Sequence, residues 1–253
     1  MIDVHCHLVY DVDDGSKDIG ETNLMLKEAK EAGFTDIILT PHYREDYFTV
    51  PCDEIAKKVE KIKEQADAIG IKVYQGNEIY ATDEIVQLIQ DRQAMSLNNS
   101  RYVLFELSMR EKPINAEQVI YSILQAGKVP IMAHPERYPY VQKNPNLLLD
   151  YIEMGVLFQS NYGSIIGQYG KEVKETVKLL LTHNMIHFLG SDNHRINSVY
   201  CHVDESLEQL EKLIGSEKLQ ELTYANPKVI IDNQNIEITE PREVKKGIFG
   251  FKR

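Results

Sequence analysis

Short runs of β-branched and apolar residues recur along this chain, each followed by a stretch with helical periodicity, and that alternation restricts the folds open to it. The candidate strands are Ile2–Cys6, Asp36–Thr40, Lys72–Gln75, Tyr102–Leu107, Val129–Ala133, Val156–Gln159 and Ile186–Gly190, seven in all. Between them, Ile55, Val59, Ile62, Ala66 and Ile69 keep the rhythm of a core-facing helix stripe, closed by Gly70. Asn115 to Gln118 reads as a capping box ahead of Val119, Ile120, Ile123 and Leu124, with Gly127 past the helix end. Val173, Val177, Leu180 and Leu181 form a further stripe, as do Leu207, Leu210, Leu213 and Ile214. Parallel neighbours need a crossover, so strands alternating with helices indicate a parallel sheet. No Pro-, Gly- or Ser-rich linker divides the chain, which favours one α/β barrel over two domains.

A different composition begins after Asn233. Residues 234–253 carry few core signals and end in EVKKGIFGFKR, where Lys245, Lys246, Lys252 and Arg253 flank Ile248, Phe249 and Phe251. This reads as a loosely ordered C-terminal extension whose basic-aromatic end suits a membrane surface or a partner. The body is acidic: 39 acids against 28 bases leave a net charge of −11. That argues against a nucleic-acid binder, and an anionic substrate would need positive charge supplied locally. No apolar leader follows Met1, and no apolar run is long enough to span a bilayer. Cys6, Cys52 and Cys201 are widely spaced, without C-x-x-C, and read as reduced thiols of a cytoplasmic protein.

Polar residues gather where the strands end. His5 and His7 close the first, with Asp14 in the loop after it; IILTPH ends at His42 and VYQGNE at Glu78. YVLFEL contains Glu106, VPIMAHPER delivers His134 and Arg137, and HFLGSDNH delivers Asp192 and His194. In a parallel barrel these ends share one face, where active sites are built. The two-residue spacing of His5 with His7, and of Asp192 with His194, puts each pair on one side of an extended chain. Imidazole and carboxylate together suit Mn²⁺, Fe²⁺ or Zn²⁺, and the absence of a cysteine cluster argues against a structural zinc site. Nine donors exceed the needs of one ion and suit two or three sharing a bridging carboxylate. Burying so many polar groups without a cation would cost several kcal/mol apiece. His183, at a helix end, His187, early in the last strand, and His202, in a loop, stand outside this set.

Two other chemistries are excluded. A thiolate phosphatase needs C-x₅-R, but Val12, Lys58 and Leu207 stand six positions after the three cysteines. GQYGK at Gly167–Lys171 is too short for a phosphate-binding loop, and Glu172 occupies the hydroxyl position.

In order along the chain, MIDVHCH, DDG at Asp13–Gly15, TPH, GNE, FEL, AHPER and SDNH resemble the motifs of the polymerase and histidinol phosphatase (PHP) superfamily of metal-dependent phosphoesterases. The likeness runs from Met1 to about Asn233. The subgroup it resembles is the CpsB/YwqE-type manganese-dependent protein-tyrosine phosphatases of Gram-positive bacteria. Glutamate at 106 and aspartate at 14, where many superfamily members use histidine, fit that subgroup. The resemblance implies a PHP domain over 1–233, folded as a single distorted (β/α)7 TIM-like barrel with three divalent ions, Mn²⁺ ahead of Fe or Zn. His5, His7, Glu78 and Asp192 would hold the first ion, and Glu78 would bridge to a second with Glu106 and His134. Asp14, His42 and His194 would hold the third.

The implied activity is hydrolysis of phosphotyrosine in proteins, with a bacterial tyrosine kinase that regulates capsular or exopolysaccharide synthesis as partner. A metal-bound hydroxide would be the nucleophile. Arg137 is the expected phosphate ligand, and Arg44 and Arg195, close to proposed ligands, are secondary candidates. The location expected is cytoplasmic, near a membrane only through the partner. The alternatives are a phosphatase for a small ester such as histidinol phosphate, a nuclease, and an inert module that binds a kinase.

Overall fold

The computed structural model describes residues 1–247 and 250–251. Nine short β segments build the sheet: β1 (Ile2–Asp3), β2 (Asp36–Leu39), β3 (His42–Tyr43), β4 (Lys72–Gln75), β5 (Glu78–Tyr80), β6 (Tyr102–Glu106), β7 (Val129–Ala133), β8 (Leu157–Asn161) and β9 (Phe188–Gly190). They form two pieces, β1-β2-β4 and β3-β5-β6-β7-β8-β9, and every pairing among them is parallel. The class is therefore α/β with a curled parallel sheet.

Side-chain alternation divides the apolar residues between the two faces of that sheet. Ile2, Val4, Ile38, Tyr102, Leu104, Ile131, Ala133, Leu157 and Phe188 form one cluster. Their neighbours Ile37, Leu39, Val103, Phe105, Met132, Phe158 and Leu189 join the larger cluster that receives the helices. In the helix Cys52–Ala68, the stripe Ile55, Val59, Ile62 and Ala66 is buried, and Gly70 beyond it adopts φ +72°. The helix Ala116–Gln125 buries Val119, Ile120 and Ile123.

Several local expectations change. Nine segments stand where the sequence predicts seven strands, because the second and third lines each resume as a short segment beyond an interruption. Pro41 has no N–H to give the ladder, so β2 ends before it and β3 begins after it. On the neighbouring line, the N–H groups of Gly76 and Glu78 donate to Leu39 and Pro41 carbonyls at 2.9 and 3.2 Å. A Cβ on Gly76 would lie 2.9 Å from Leu97 Cδ2 and 3.2 Å from Leu97 Cα, so the close approach of chain there requires glycine. β1 stops at Asp3, and Cys6 instead makes an isolated parallel bridge to Asn193. The capping box at Asn115 does not form: its side chain caps nothing and donates to Asp83 at 2.8 Å.

The stretch after Asn233, read as loosely ordered, runs as a strap against the body through residue 244. Arg101 donates to Asn233 Oδ1 from its backbone and side chain, and Tyr102 Oη donates to the Gln234 carbonyl at 2.7 Å. Asn184 donates to the Glu240 carbonyl, and Arg242 N–H to that of His183. Asn146 brackets Val244 with hydrogen bonds of 3.0 and 2.8 Å, and Val244 is only 1% exposed. A backbone captured by side chains around one buried apolar anchor needs no regular element to hold it. Of the basic-aromatic end, Ile248, Phe249, Lys252 and Arg253 lie outside the described residues. Among the described residues no helix is long and apolar enough to cross a membrane.

Candidate metal centre

All nine donors singled out above meet at the C-terminal ends of the strands. They fall into three overlapping groups in which the donor atoms lie within 4.8 Å of one another. His5, His7, Glu78 and Asp192 form the deepest, and every member is buried. Glu78, Glu106 and His134 form the second; His7, Asp14, His42 and His194 form the third, which opens to solvent. Glu78 belongs to two groups and His7 to two. Register explains part of this convergence, because His42 pairs with Glu78 across β3 and β5, and Tyr80 with Glu106 across β5 and β6. Two positions leave regular strand geometry. His134 adopts φ +37° and Asp192 φ +54°, left-handed conformations that cost non-glycine residues of order 1–3 kcal/mol.

The second set of atoms on these rings explains which way they face. His5 Nδ1 meets Gln159 Oε1 at 2.7 Å, and His7 Nδ1 meets Asp13 Oδ2 at 2.8 Å. Both outer partners accept, so each ring carries its proton on Nδ1 and turns the Nε2 lone pair inward. Those two Nε2 atoms are 3.1 Å apart. Around them, Glu78 Oε2 lies 3.0 Å from His5 Nε2, 3.4 Å from His7 Nε2 and 3.1 Å from His42 Nδ1, yet it accepts no hydrogen bond of good geometry. Lone pairs aimed at each other over such distances repel unless a cation lies among them. The donor set therefore fits divalent ions, and these nine residues could hold them.

The electrostatics point the same way. Without a metal ion, burial opposes charge on His5, but Glu78 and Asp192 beside it outweigh that and raise its pKa to about 9, so a proton then takes the inward position that a metal would claim. Burial likewise disfavours charge on Glu78, and the imidazoles of His5 and His42 overcome it, holding the carboxyl well below its usual range. Glu106 moves upward, through burial and the neighbouring charge of Glu78. A site with this many mutual dependences is stabilised by any cation that several groups can share.

The residues that brace the centre carry no spacing signature, and sequence reasoning missed them. Gln159 Nε2 donates to Asn161 Oδ1 at 2.9 Å, and Asn161 Nδ2 donates to Asp192 Oδ2 at 2.7 Å, so one relay joins His5 to Asp192. Asp13, rather than only its neighbour Asp14, is built in: Oδ2 also accepts from the His42 N–H at 2.9 Å. Glu136 is fully buried and accepts from Ser160 Oγ, Ser164 Oγ and the Asn161 N–H at 2.8, 2.6 and 2.9 Å. Asp3 accepts from the Ser191 N–H at 2.9 Å and from Tyr200 Oη at 2.8 Å, stapling the first strand to the last.

The three arginines differ. Arg137 Nη1 donates to Asp192 Oδ2 at 2.7 Å, its guanidinium lies 4.7 Å from the Tyr169 ring centroid, and its side chain remains 30% exposed. Arg195 Nη1 donates to the carbonyls of Asp14, Gly15 and His194, so it braces the loop that carries Asp14. Arg44 sits between Tyr47 and Tyr80, at 4.5 and 4.4 Å from their ring centroids. The histidines left out of the set stay apart from it: His183 Nδ1 lies 2.7 Å from the Leu179 carbonyl at a helix end, and His187 Nδ1 accepts from the Phe158 N–H at 3.0 Å.

Residues 1–232 match the family model for capsular polysaccharide synthesis proteins CpsB/CapC. Tyrosine-protein phosphatase YwqE of Bacillus subtilis is 34% identical over 254 residues, covering 99% of this chain and 100% of its own. Tyrosine-protein phosphatase CpsB of Streptococcus pneumoniae is 31% identical over 243 residues, covering 93% of this chain and 100% of its own. Among solved structures, one from a study of YwqE from Bacillus subtilis and CpsB from Streptococcus pneumoniae, described as metal-dependent tyrosine phosphatases, superposes with a TM-score of 0.86 at 34% identity. That match covers 97% of this chain and 100% of the other.

Proposed function

The chain belongs to the CpsB/CapC family of capsular polysaccharide synthesis proteins, and from that premise we propose that it is a metal-dependent protein-tyrosine phosphatase. Its substrate is phosphotyrosine on a protein, and its partner a bacterial tyrosine kinase that governs capsule or exopolysaccharide synthesis. It works in the cytoplasm and meets the membrane only through that partner. Residues 1–233 are the phosphatase domain and 234–253 an extension. The strand lines β1, β2 with β3, β4 with β5, β6, β7, β8 and β9, joined by the Cys6–Asn193 bridge, are read as a distorted seven-stranded barrel.

In this reading the nine donors are ligands of three divalent ions, Mn²⁺ foremost. His5, His7, Glu78 and Asp192 hold one, Glu78, Glu106 and His134 a second, and Asp14, His42 and His194 a third. The observation that carries it is the pair of inward Nε2 lone pairs, 3.1 Å apart, beside a Glu78 oxygen without a hydrogen bond. When bound, such ions neutralise phosphoryl oxygens and lower the pKa of the attacking water. The chain's own groups do the rest. Gln159 and Asp13 fix the tautomers of His5 and His7, and Asn161 and Arg137 orient Asp192. Arg137 donates its remaining N–H groups to the phosphoryl group, with Tyr169 restraining its plane. The leaving phenolate, with a parent pKa of about 10, needs less protonation than an alkoxide would.

Phosphatase assays of chelated protein with single metals restored test this. Mn²⁺ is expected to restore turnover of a phosphotyrosyl peptide, a His5→Ala variant to stay inactive, and thiol alkylation to change nothing. Preference for histidinol phosphate or a phosphodiester would overturn the substrate, and loss of activity to the alkylator but not the chelator would overturn the chemistry.

A further inference from the structure

Beyond the donor cluster, the same face of the sheet opens into a cavity of about 400 Å³, walled by Arg44, Tyr47, Tyr80, Glu106, Met109 and Arg110 among others. Its position follows from strand periodicity. Tyr80 lies two residues beyond Glu78, and Arg44 two beyond His42, so each continues the side of the chain that faces the centre, about 7 Å further out. The turn that carries Arg44 is well defined. Arg44 and Phe48 exchange backbone hydrogen bonds of 2.9 and 2.8 Å, and the Phe48 ring stacks on His42 at 5.8 Å between centroids, with 12° between planes.

Two cations on this wall have no acid. Among the described arginines, Arg92 pairs with Asp53 and Arg137 with Asp192, but neither Arg44 nor Arg110 has a carboxylate within 4.0 Å. On a chain of net charge −11, two unpaired guanidinium groups beside the centre are a local excess of the opposite sign. Arg44 is half-buried and held between two rings, so pairing it with an anion orders little that is not ordered already. The acid on the wall, Glu106, faces His134 and His42 rather than the arginines.

We infer that this cavity receives an acidic side chain from the peptide flanking the phosphotyrosine, with Arg44 and Arg110 pairing to its carboxylate. The inference rests on the phosphatase reading above and adds a sequence preference to it. The contact is made equally in the ground and transition states, so it acts on KM and leaves kcat alone.

The test compares Mn²⁺-loaded protein on three phosphotyrosyl peptides whose flanking residues are acidic, amide or lysine, with p-nitrophenyl phosphate as a flank-free control. The acidic peptide should show a KM about fivefold below the amide peptide, with the lysine peptide weaker still. That order should vanish in about 1 M salt, where the Debye length is about 3 Å. Arg110→Gln should reduce the preference while leaving p-nitrophenyl phosphate turnover unchanged, and Arg44→Gln should abolish it. Equal KM values for all three peptides, with brisk turnover, overturn the inference and leave the phosphatase reading standing. Failure to cleave any phosphotyrosyl peptide while histidinol phosphate is cleaved overturns both.

Discussion

Gln159 shows how a residue with no chemistry of its own decides what a ligand can do. Its carbonyl oxygen holds the His5 proton on Nδ1, and its amide passes the constraint through Asn161 to Asp192. Replacing it by leucine leaves His5 Nδ1 without an acceptor and frees the tautomer. Gln159→Leu is therefore expected to weaken Mn²⁺ binding about 10- to 100-fold, read by competition with a chromogenic chelator. An unchanged affinity would show that the relay is ornamental. The nine donors that the structure gathers were legible in the sequence because period-two pairs and strand ends announce them. Gln159, Asn161 and Asp13 were not, since a residue that acts from behind a ligand has no required spacing from it. In the Asp13–Asp14 pair, loop shape decides which acid faces where. The chain packs so closely that a Cβ on Gly15 would lie 2.2 Å from the His7 carbonyl oxygen. Arg195, chosen for its proximity in sequence to His194, spends its Nη1 on the carbonyls of Gly15 and His194, a use that no spacing announces.

Along the strands, alternation was read correctly more often than ends were. β8 runs two residues beyond its expected stop because Ser160 and Asn161 pair with Leu189 and Gly190 of β9, partners about 30 residues away that no local pattern reveals. The split of the second and third lines depends on Pro41 in one and Gly76 in the other, whose neighbourhood between the Leu39–Gln75 and His42–Glu78 pairs is visible only once the register is known. Between β8 and β9, His187 acts as a ladder group: its N–H donates to the Phe158 carbonyl, and its Nδ1 accepts from the Phe158 N–H. Burial, with Lys218 nearby, lowers its pKa to about 3 from the usual 6.5. Above about pH 6.5 the ring is neutral in both folded and unfolded chains, and its contribution to stability is complete. Between about pH 6.5 and 3 the unfolded chain binds a proton that the fold refuses, so stability falls with pH, by at most about 1.4 kcal/mol per unit. Urea unfolding of chelated protein should show this, the wild type losing about 1–2 kcal/mol more than His187→Gln between pH 6.5 and 4.5. Parallel pH dependences would refute it.

At the level of the whole molecule, the strap from Gln234 to Val244 belongs to the folded body, and its polar sequence gives no warning of that. Its anchorage comes from residues scattered from Arg101 to Asn184, so only the assembled fold supplies the partners. Val244→Asp should bury an unpaired carboxylate and cost about 3 kcal/mol or more, seen as a lowered Tm; an unmoved Tm would mean that the strap is peripheral. The α/β class, by contrast, could be read from the alternation alone, because no other arrangement shields so many two-sided apolar strands. The bridge between Cys6 and Asn193 has a consequence for how such a protein comes into being. Half of the deepest donor group is synthesised first and its last member, Asp192, nearly two hundred residues later. A ribosome must add Asp192 and His194 nearly two hundred residues after His5 before the cluster has its full complement, so nascent or prematurely terminated chains carry imidazoles but no finished pocket. Completion of the donor set is thereby deferred until the stretch around Asp192 has been made.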